Sequence, residues 1–426
     1  MIKKLHGVHL PHKKDTEHKE CVHIPLPKTV KIPMLMNMGA PCTPLVKVGD
    51  TVTVGQKIGD TDAFFSVPVH ASVSGTVTAI TDHLGANGAT CKAVEIETDG
   101  KQTVCPDLKP PVITDRESLA KAVRESGVVG LGGAGFPTHI KLNPKTKIDT
   151  LLINGAECEP YITSDYRQMV ESPEDIINGI KLLMQHLDIP KAKIGIENNK
   201  PEAVKVLVQM ADQYPEIDIA PLPTTYPQGA EKVMIYNTTG RIVKEGQLPS
   251  DVGVIVMNVS TVAFIYRYAQ TGMPLTERRL TIDGDTIKNP CNLIVPIGTS
   301  VAEALEFAKC DTDRVKKLIS GGPMMGMCLY TPDTPICKPN NAILAFEHIT
   351  EVEETACIRC GRCMRACPLR LMPTELEKAY KTKNVEALQK FKLGLCMNCG
   401  SCTFVCPAGH KLAETNQLAK ALLPRK

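Results

Sequence analysis

The sequence predicts a multidomain chain of the α/β plus β class that closes on a helical, cysteine-bearing module. Three observations predict it. Residues 34–110 run as short apolar strands broken by glycine turns, residues 112–270 alternate helical and strand signals, and eight of the 17 cysteines fall between Cys357 and Cys406. A length of 426 residues suits several domains of about 150 residues each. Hydrophobic residues at 43% and charged residues at 22% are globular values, which excludes a disordered, collagenous or coiled-coil chain. A net charge of +3 gives no reason to expect nucleic acid as a partner.

Residues 1–33 hold five of the eleven histidines. His6, His9 and His12 recur every third residue, but Gly7 and Pro11 interrupt any helix that would align them. The segment is expected to be a solvated or docking arm rather than a metal site. The opening MIKKLHGVHLPHKK lacks an apolar core behind its lysines, so no secretory signal is expected. Crowded C-x-x-C spacings then point to metal sites in a reducing compartment rather than a disulfide framework. The most apolar run, Val252 to Ala269, is broken by Asn258, Ser260, Thr261 and Arg267 and is too polar to span a membrane.

Within residues 34–110, PLVKVGDTVTVGQKIGD, SVPVHASVSGTVTAI and CKAVEIETDG read as strands with regular turns, a small all-β unit. The pattern resembles the barrel-sandwich fold of biotinyl and lipoyl carrier domains. Those carriers attach their group to a hairpin lysine, whereas this hairpin reads DAFFSVPV, with Phe64 and Phe65. A structural or docking module is therefore expected.

The α/β region carries helical signals in ITDRESLAKAVRES, SPEDIINGIKLLMQHL and KPEAVKVLVQMADQY, the second with Ser172 as N-cap and Pro173 at the first helical position. DTLLING, KAKIGIEN and VGVIVMNV are apolar on both faces, as interior strands of a parallel sheet are. Residues 271–350 return to β structure through RRLTIDGDTIKNPCNLIVPIGTSVAEAL, consistent with a small β-grasp unit.

In the last segment, Cys357, Cys360, Cys363 and Cys367-Pro368 spell C-x2-C-x2-C-x3-C-P, and Cys396, Cys399, Cys402 and Cys406-Pro407 spell it again. Three cysteines at i, i+3 and i+6 wrap one cubane, and the fourth reaches the neighbouring cluster. Cys357, Cys360, Cys363 and Cys406 are thus expected to hold one [4Fe–4S] cluster, and Cys367, Cys396, Cys399 and Cys402 a second. Zinc would want its ligands in two pairs. Two clusters that exchange ligands lie close together and form a relay for single electrons. Residues 357–426 carry 13 Lys/Arg against 4 Asp/Glu, a basic surface suited to an acidic redox partner.

Gly130-Leu-Gly132-Gly133-Ala-Gly135-Phe136-Pro137-Thr138 contains G-x-G-x-x-G. A helical signal precedes it rather than a strand, so the dinucleotide fingerprint does not apply. What remains is a loop whose backbone N–H groups can approach a phosphate closely. Leu151-Leu-Ile-Asn154-Gly155-Ala-Glu157-Cys158-Glu159-Pro160, Tyr226-Pro-Gln-Gly229-Ala-Glu231-Lys232 and Val256-Met-Asn258-Val-Ser-Thr261 add polar groups at strand ends.

In this order, GLGGAGFPTHIKL, LLINGAECEP, YPQGAEK and MNVSTV resemble the flavin-binding subunit of respiratory complex I, which holds FMN and oxidises NADH. Together with the barrel-sandwich segment and the two cysteine runs, the whole chain resembles the RnfC family, whose members belong to the Rnf complex, the ion-pumping ferredoxin:NAD+ oxidoreductase. The resemblance implies four domains: an arm and barrel-sandwich over 1–110, a Rossmann-like FMN/NAD(H) domain over 111–270, a soluble-ligand-binding β-grasp domain over 271–350 and a bacterial ferredoxin-like module over 351–426. It implies that Gly130, Gly132, Lys141, Asn154, Glu157, Tyr226, Gly229, Glu231, Asn258 and Thr261 surround FMN, with Lys141 near the phosphate. Phe136 would stack near the nicotinamide nucleotide and Glu159 would bind its ribose.

The implied partners are the other Rnf subunits, membrane-embedded ones included, together with NAD(H) and, indirectly, ferredoxin. The implied place is the cytoplasmic face of the bacterial membrane. An acid of the complex I pattern is missing around Glu157, and Glu231-Lys232 stands where that pattern has paired glutamates. Two other readings use the same parts. The cobalamin reductases resemble the chain in the glycine loop but place further sequence after their clusters, whereas 19 residues follow Pro407 here. A non-catalytic relay or scaffold would keep the clusters and leave the flavin site empty. The nine cysteines outside the runs show no partners in sequence, and Cys158 stands between two candidate carboxylates.

Overall fold

The computed structural model describes residues 5–86, 88–350 and 352–424. The first β unit is a pair of antiparallel sheets. One runs in the order Thr29–Pro33, Thr90–Thr98, Gly75–Leu84, Thr51–Val52, and the other in the order Thr43–Pro44, Lys57–Asp60, Val69–His70. Alternation along the strands directs Val30, Ile32, Val52, Ile58, Val69, Val77, Val94 and Ile96 into the space between the sheets, where all are buried. This is the barrel-sandwich arrangement the strand pattern leads one to expect.

The second unit holds four parallel strands in the order Ile217–Leu222, Ala192–Glu197, Thr150–Asn154, Val254–Asn258. Helices cover both faces. Leu151 and Ile153 point into a core built with helices Arg116–Glu125, Pro173–Leu187 and Val259–Thr271, while Leu152, Val254 and Val256 face helix Glu231–Thr239. Burial on both faces explains why these strands read as unbroken apolar runs. Ser172 sits at the N-cap with Pro173 following, but its side chain makes no capping hydrogen bond. Strand Ile217–Leu222 escapes the sequence reading because it is a half-exposed edge carrying Pro221.

The order of connection fixes where a ligand can enter. From Thr150–Asn154 the chain steps outward through two strands on one side, then crosses to lay Val254–Asn258 on the other. The crevice at the carboxyl ends of Thr150–Asn154 and Val254–Asn258 is therefore the switch point of the sheet, where open α/β sheets bind ligands.

A six-stranded mixed sheet follows, ordered Cys21–His23, Cys291–Pro296, Glu277–Asp283, Ala342–Phe346, Lys317–Ser320, Met327–Cys328, with helix Val301–Phe307 packed on it. Its outer strand comes from the N-terminal arm, so residues 21–23 fold with the third segment rather than with the barrel-sandwich. The C-terminal segment is helical: Arg362–Ala366, Pro373–Lys381, Val385–Lys390, Ser401–Phe404 and Leu412–Ala419. Among the described residues no helix is long and apolar enough to cross a membrane.

One buried cation ties three units together. Lys338, 1% exposed, donates to the carbonyls of Pro68 in the barrel-sandwich, at 2.6 Å, and of Gly127 ahead of the glycine loop, at 2.7 Å. Burial lowers its pKa to about 8. Lys338→Met keeps the volume and strands both carbonyls, a loss of about 2 kcal/mol. Thermal denaturation is expected to show a Tm lower by roughly 4–8 °C.

Candidate functional site

The glycine loop lies over the switch point. Gly130 N–H donates to the Phe136 carbonyl at 2.8 Å, closing a tight turn in which Gly133 and Gly135 take positive φ, +111° and +63°. Those backbone angles require glycine. The loop is fastened from two sides: the Thr261 hydroxyl accepts the Leu131 N–H at 3.0 Å, and the buried Arg278 donates to the Leu131 carbonyl at 3.1 Å. A Cβ on Gly132 would come within 3.0 Å of Asn258 Nδ2, whereas one on Gly133 would meet nothing within 4 Å. Gly132, Gly133 and Ala134 are exposed, and their N–H groups find no acceptor among the described residues. A turn of successive free N–H groups fits an anion such as a flavin phosphate.

Below the loop, Asn154 and Asn258 are register partners at the ends of adjacent strands. Asn154 Nδ2 donates to the Gly229 carbonyl at 2.8 Å, which brings the YPQGAEK segment to the same edge. Lys141 Nζ donates to Glu231 Oε1 and to the Val256 carbonyl, each at 2.9 Å, and lies 5.8 Å from the centre of the Phe136 ring. Gly130, Gly132, Phe136, Lys141, Asn154, Gly229, Glu231, Asn258 and Thr261 thus gather at one end of the sheet.

Glu157, Glu159 and Tyr226 are engaged elsewhere. Glu157 takes φ +45° and its half-buried carboxylate accepts the N–H groups of Asp165 at 2.6 Å and Tyr166 at 3.1 Å, at the start of helix Ser164–Glu171. Burial pushes its pKa up to about 7. Glu159 accepts the N–H groups of Met324 at 3.0 Å and Met325 at 2.9 Å, with the Tyr226 hydroxyl at 3.5 Å, and burial raises it to about 6. The sequence expectation placed Glu157 and Tyr226 on the flavin and Glu159 on the nucleotide ribose. In this structure their side chains brace the turn between the α/β sheet and its neighbours.

Four residues of this scaffold are missed by motif reading. Lys14, from the N-terminal arm, donates to the carbonyls of Glu157 at 3.0 Å and Glu159 at 2.8 Å, and burial lowers it to about 8. Lys200 donates to Ala156 carbonyl at 2.6 Å. Arg278 holds the loop, and Asp165 receives Asn258 Nδ2 at 2.7 Å and the Ser260 hydroxyl at 2.5 Å. The arm is therefore a docked element rather than a solvated one.

The two cysteine runs fold alike. Arg359 and Gly361 in the first, and Asn398 and Gly400 in the second, take positive φ between +55° and +77° and launch short helices that pack together. Cys367 of the first run lines one pocket with Cys396, Cys399 and Cys402 of the second. Cys363 sits with Cys406, and Cys357 is near enough for its charge to bear on Cys363. The four-cysteine pocket, drawn from both runs, offers the soft thiolate set that suits cubane ligation, and Cys357, Cys363 and Cys406 begin a second such set. Glu354, Glu377 and His410 also converge, but Lys381 and His410 already pair with Glu377.

The pocket with Cys399 abuts the glycine site. Gly229 N–H donates to Cys158 Sγ at 3.3 Å, and Cys158, Tyr226, Met324 and Cys399 pack in one apolar cluster. Gly400 has no room for a Cβ, which would stand 2.8 Å from the Met324 carbonyl. Cys357 and Cys360, by contrast, are exposed.

Three segments of the chain match known domain families. Residues 3–101 match the RnfC barrel sandwich hybrid domain, residues 123–267 the Nuo51 FMN-binding domain and residues 356–410 the 4Fe-4S dicluster domain. The chain is 41% identical over 391 residues to the RnfC-type subunit of the Na(+)-translocating ferredoxin:NAD(+) oxidoreductase complex of Acetobacterium woodii, covering 89% of this chain and 87% of that one. Identity is again 41% with the proton-translocating counterpart of Clostridium ljungdahlii, covering 89% and 85%. With the corresponding subunit of the ion-translocating oxidoreductase complex of Rhodobacter capsulatus it is 36%, covering 99% and 83%. An NAD+-reducing [NiFe]-hydrogenase in the H2-reduced state shares the fold, with a TM-score of 0.50 and 17% identity over 73% of this chain and 64% of that one. The sequence relatives span all three matched domains, and on that ground the chain belongs to the RnfC family of the ion-translocating ferredoxin:NAD(+) oxidoreductase complex, the Rnf complex.

Proposed function

We propose that this chain exchanges electrons with NAD(H) at an FMN site on the switch point of its parallel sheet and passes them singly through two [4Fe–4S] clusters. In this reading it is an oxidoreductase subunit that links ferredoxin oxidation to NAD+ reduction and ion transport, held by membrane-embedded partners at the cytoplasmic face. The units are a barrel-sandwich over 1–110, a Rossmann-like domain over 111–270, a β-grasp domain over 271–350 and a ferredoxin-like module over 351–426.

FMN, when bound, supplies the conversion between the two-electron chemistry of a nicotinamide and the one-electron chemistry of a cluster. The protein's part is positioning. The Gly130–Gly135 turn offers N–H groups and Lys141 a cation for the flavin's phosphate, Asn154, Gly229 and Glu231 line one side, and Asn258 and Thr261 fix the loop on the other. Phe136 offers a ring to the nucleotide. Cys367, Cys396, Cys399 and Cys402 are assigned to the cluster nearest the flavin, and Cys357, Cys360, Cys363 and Cys406 to the outer one.

The observation that carries this reading is that Cys399 and Cys158 pack against one cluster around Tyr226, while Cys158 Sγ accepts the N–H of Gly229, whose carbonyl is held by Asn154 at the sheet edge. It supports an unbroken path from the switch point to a cysteine nest. The test is anaerobic purification with iron and flavin assay, then addition of NADH under visible and EPR observation. About eight irons and one FMN per chain are expected, with flavin bleaching and paramagnetic clusters after NADH. Clusters without flavin, or flavin that NADH leaves oxidised, would sink the reading in favour of a passive relay.

A further inference from the structure

Helix Leu412–Ala419 lies across both cysteine runs. Leu412 packs in the cluster of Cys363 and Cys402, while Ala419 belongs to the cluster that Cys367 and Cys396 border. Two polar ties fix its placement: Asn398 Nδ2 donates to the Ala413 carbonyl at 3.0 Å, and Ala413 N–H donates to Thr403 Oγ1 at 2.9 Å. The helix buries Leu412, Asn416 and Ala419, so its inner face is apolar but for one amide. Asn416 is 1% exposed and lines the pocket shared by Cys367, Cys396, Cys399 and Cys402. Its Nδ2 donates to Cys396 Sγ at 3.6 Å, and its Oδ1 is buried with no partner among the described residues.

Burying an amide is costly unless its hydrogen bonds are made. A neutral thiol is a weak acceptor, so among free cysteines a leucine would serve this position better. An iron-bound sulfur carries negative charge and accepts a stronger, charge-assisted bond. The same nest places two more polar groups on sulfur: Leu371 N–H donates to Cys367 Sγ at 3.4 Å, and Ser401 Oγ stands 3.4 Å from Cys399 Sγ. We infer that Asn416 sets the reduction potential of the inner cluster, its amide stabilising the added electron through the sulfur of Cys396. The inference rests on the functional reading above, which assigns a [4Fe–4S] cluster to this pocket. Reduction adds one electron and one negative charge, with no bond broken and no proton moved, and the electron comes from the flavin side or returns to it. Burial opposes that charge here more than at Cys357 and Cys360, which face solvent. Hydrogen bonds to the sulfurs offset the penalty. Asn416 thereby keeps the buried member of the relay close in potential to the exposed one.

The test is an EPR-monitored potentiometric titration of the anaerobic full chain with dithionite, which reads the clusters without NADH. In Asn416→Leu the iron content should match the wild type, while the reduction equilibrium of one cluster shifts about tenfold toward the oxidised form, a midpoint lower by about 59 mV. The other cluster should not move. Asn416→Ala, which also lacks the donor, should shift the same cluster in the same direction. The shifted signal should persist in C360A/N416L and vanish in C399A/N416L, which assigns it to the inner cluster. Midpoints unchanged in both single variants, or moved equally for both clusters, would overturn the inference. Loss of iron in both would also overturn it, because Asn416 would then hold the fold of the nest rather than its potential. A wild-type chain whose iron gives no EPR signal on reduction would overturn the functional reading itself, an outcome visible before any variant is made.

Discussion

Cys367→Ala is expected to remove about half of the bound iron, from about eight to about four per chain, and the cluster lost is the one built on the other cysteine run. Cys367 closes the first run in sequence, 29 residues before Cys396, yet it shares its pocket with Cys396, Cys399 and Cys402. Cys363 packs in a cluster with Cys402 and Cys406 of the second run. If each run served its own cluster, C367A would leave the same residual EPR spectrum as C360A. With exchanged ligands, C367A and C399A should leave one shared spectrum and C360A another.

The electron path adds a second contrast. The Cys399 pocket adjoins Cys158 and Tyr226 while Cys357 and Cys360 face solvent. In C367A and C399A, NADH should still bleach the flavin, but the remaining outer cluster should reduce slowly. In C360A the inner cluster should reduce promptly and the outward path should fail. Prompt reduction of the remaining cluster in C399A would reverse the order of the relay.

What was legible in the sequence had a local signature. The cysteine runs are legible because C-x2-C-x2-C-x3-C-P stands twice in full, and a C-x2-C-x2-C loop that cannot close a cubane alone leads one to look for its fourth ligand elsewhere. The interior strands were legible because burial on both faces makes them uniformly apolar. The glycine loop was found through its four glycines, although only Gly133 and Gly135 need positive φ.

The remainder depends on distance along the chain. Nothing near Lys14 signals that its ammonium will collect carbonyls more than 140 residues away. Strand Cys21–His23 joins a sheet made by residues 277–346, a pairing that three residues cannot announce. Acids at a strand end, such as Glu157 and Glu159, read as ligand carboxylates, and their backbone partners do not show in the sequence. Their engagement with backbone N–H groups depends on helix Ser164–Glu171 and on the turn at Met324, which arrive from elsewhere.

Asp165→Ala is expected to cost the protein its flavin while leaving its iron intact. The residue stands in none of the four motifs that mark the site, yet it begins a chain of contacts that ends at the glycine loop. Its buried carboxylate receives Asn258 Nδ2 and the Ser260 hydroxyl, Asn258 Oδ1 accepts the Thr261 N–H at 3.2 Å, and the Thr261 hydroxyl accepts the Leu131 N–H. Burial raises the Asp165 pKa, against the pull of Ser260 and Asn258. Removing the carboxylate strands the buried Ser260 hydroxyl and the half-buried Asn258 amide, each a penalty of about 1–3 kcal/mol at most. It also frees Asn258 to turn where its side chain lies directly under Gly132, close enough that a Cβ there would stand 3.0 Å from its Nδ2. A loss of about 2–3 kcal/mol from flavin binding corresponds to roughly a hundredfold weaker FMN affinity, measurable by fluorescence titration of the deflavinated protein. Asp165→Asn keeps one acceptor and faces the other donor with an amide, so an intermediate affinity is expected. Because the cysteine pockets share none of these contacts, iron content serves as the internal control. Unchanged FMN affinity in D165A would show that Arg278 alone, through the Leu131 carbonyl, holds the loop. Joint loss of flavin and iron would instead show that Asp165 supports the fold of the whole chain rather than the geometry of this site.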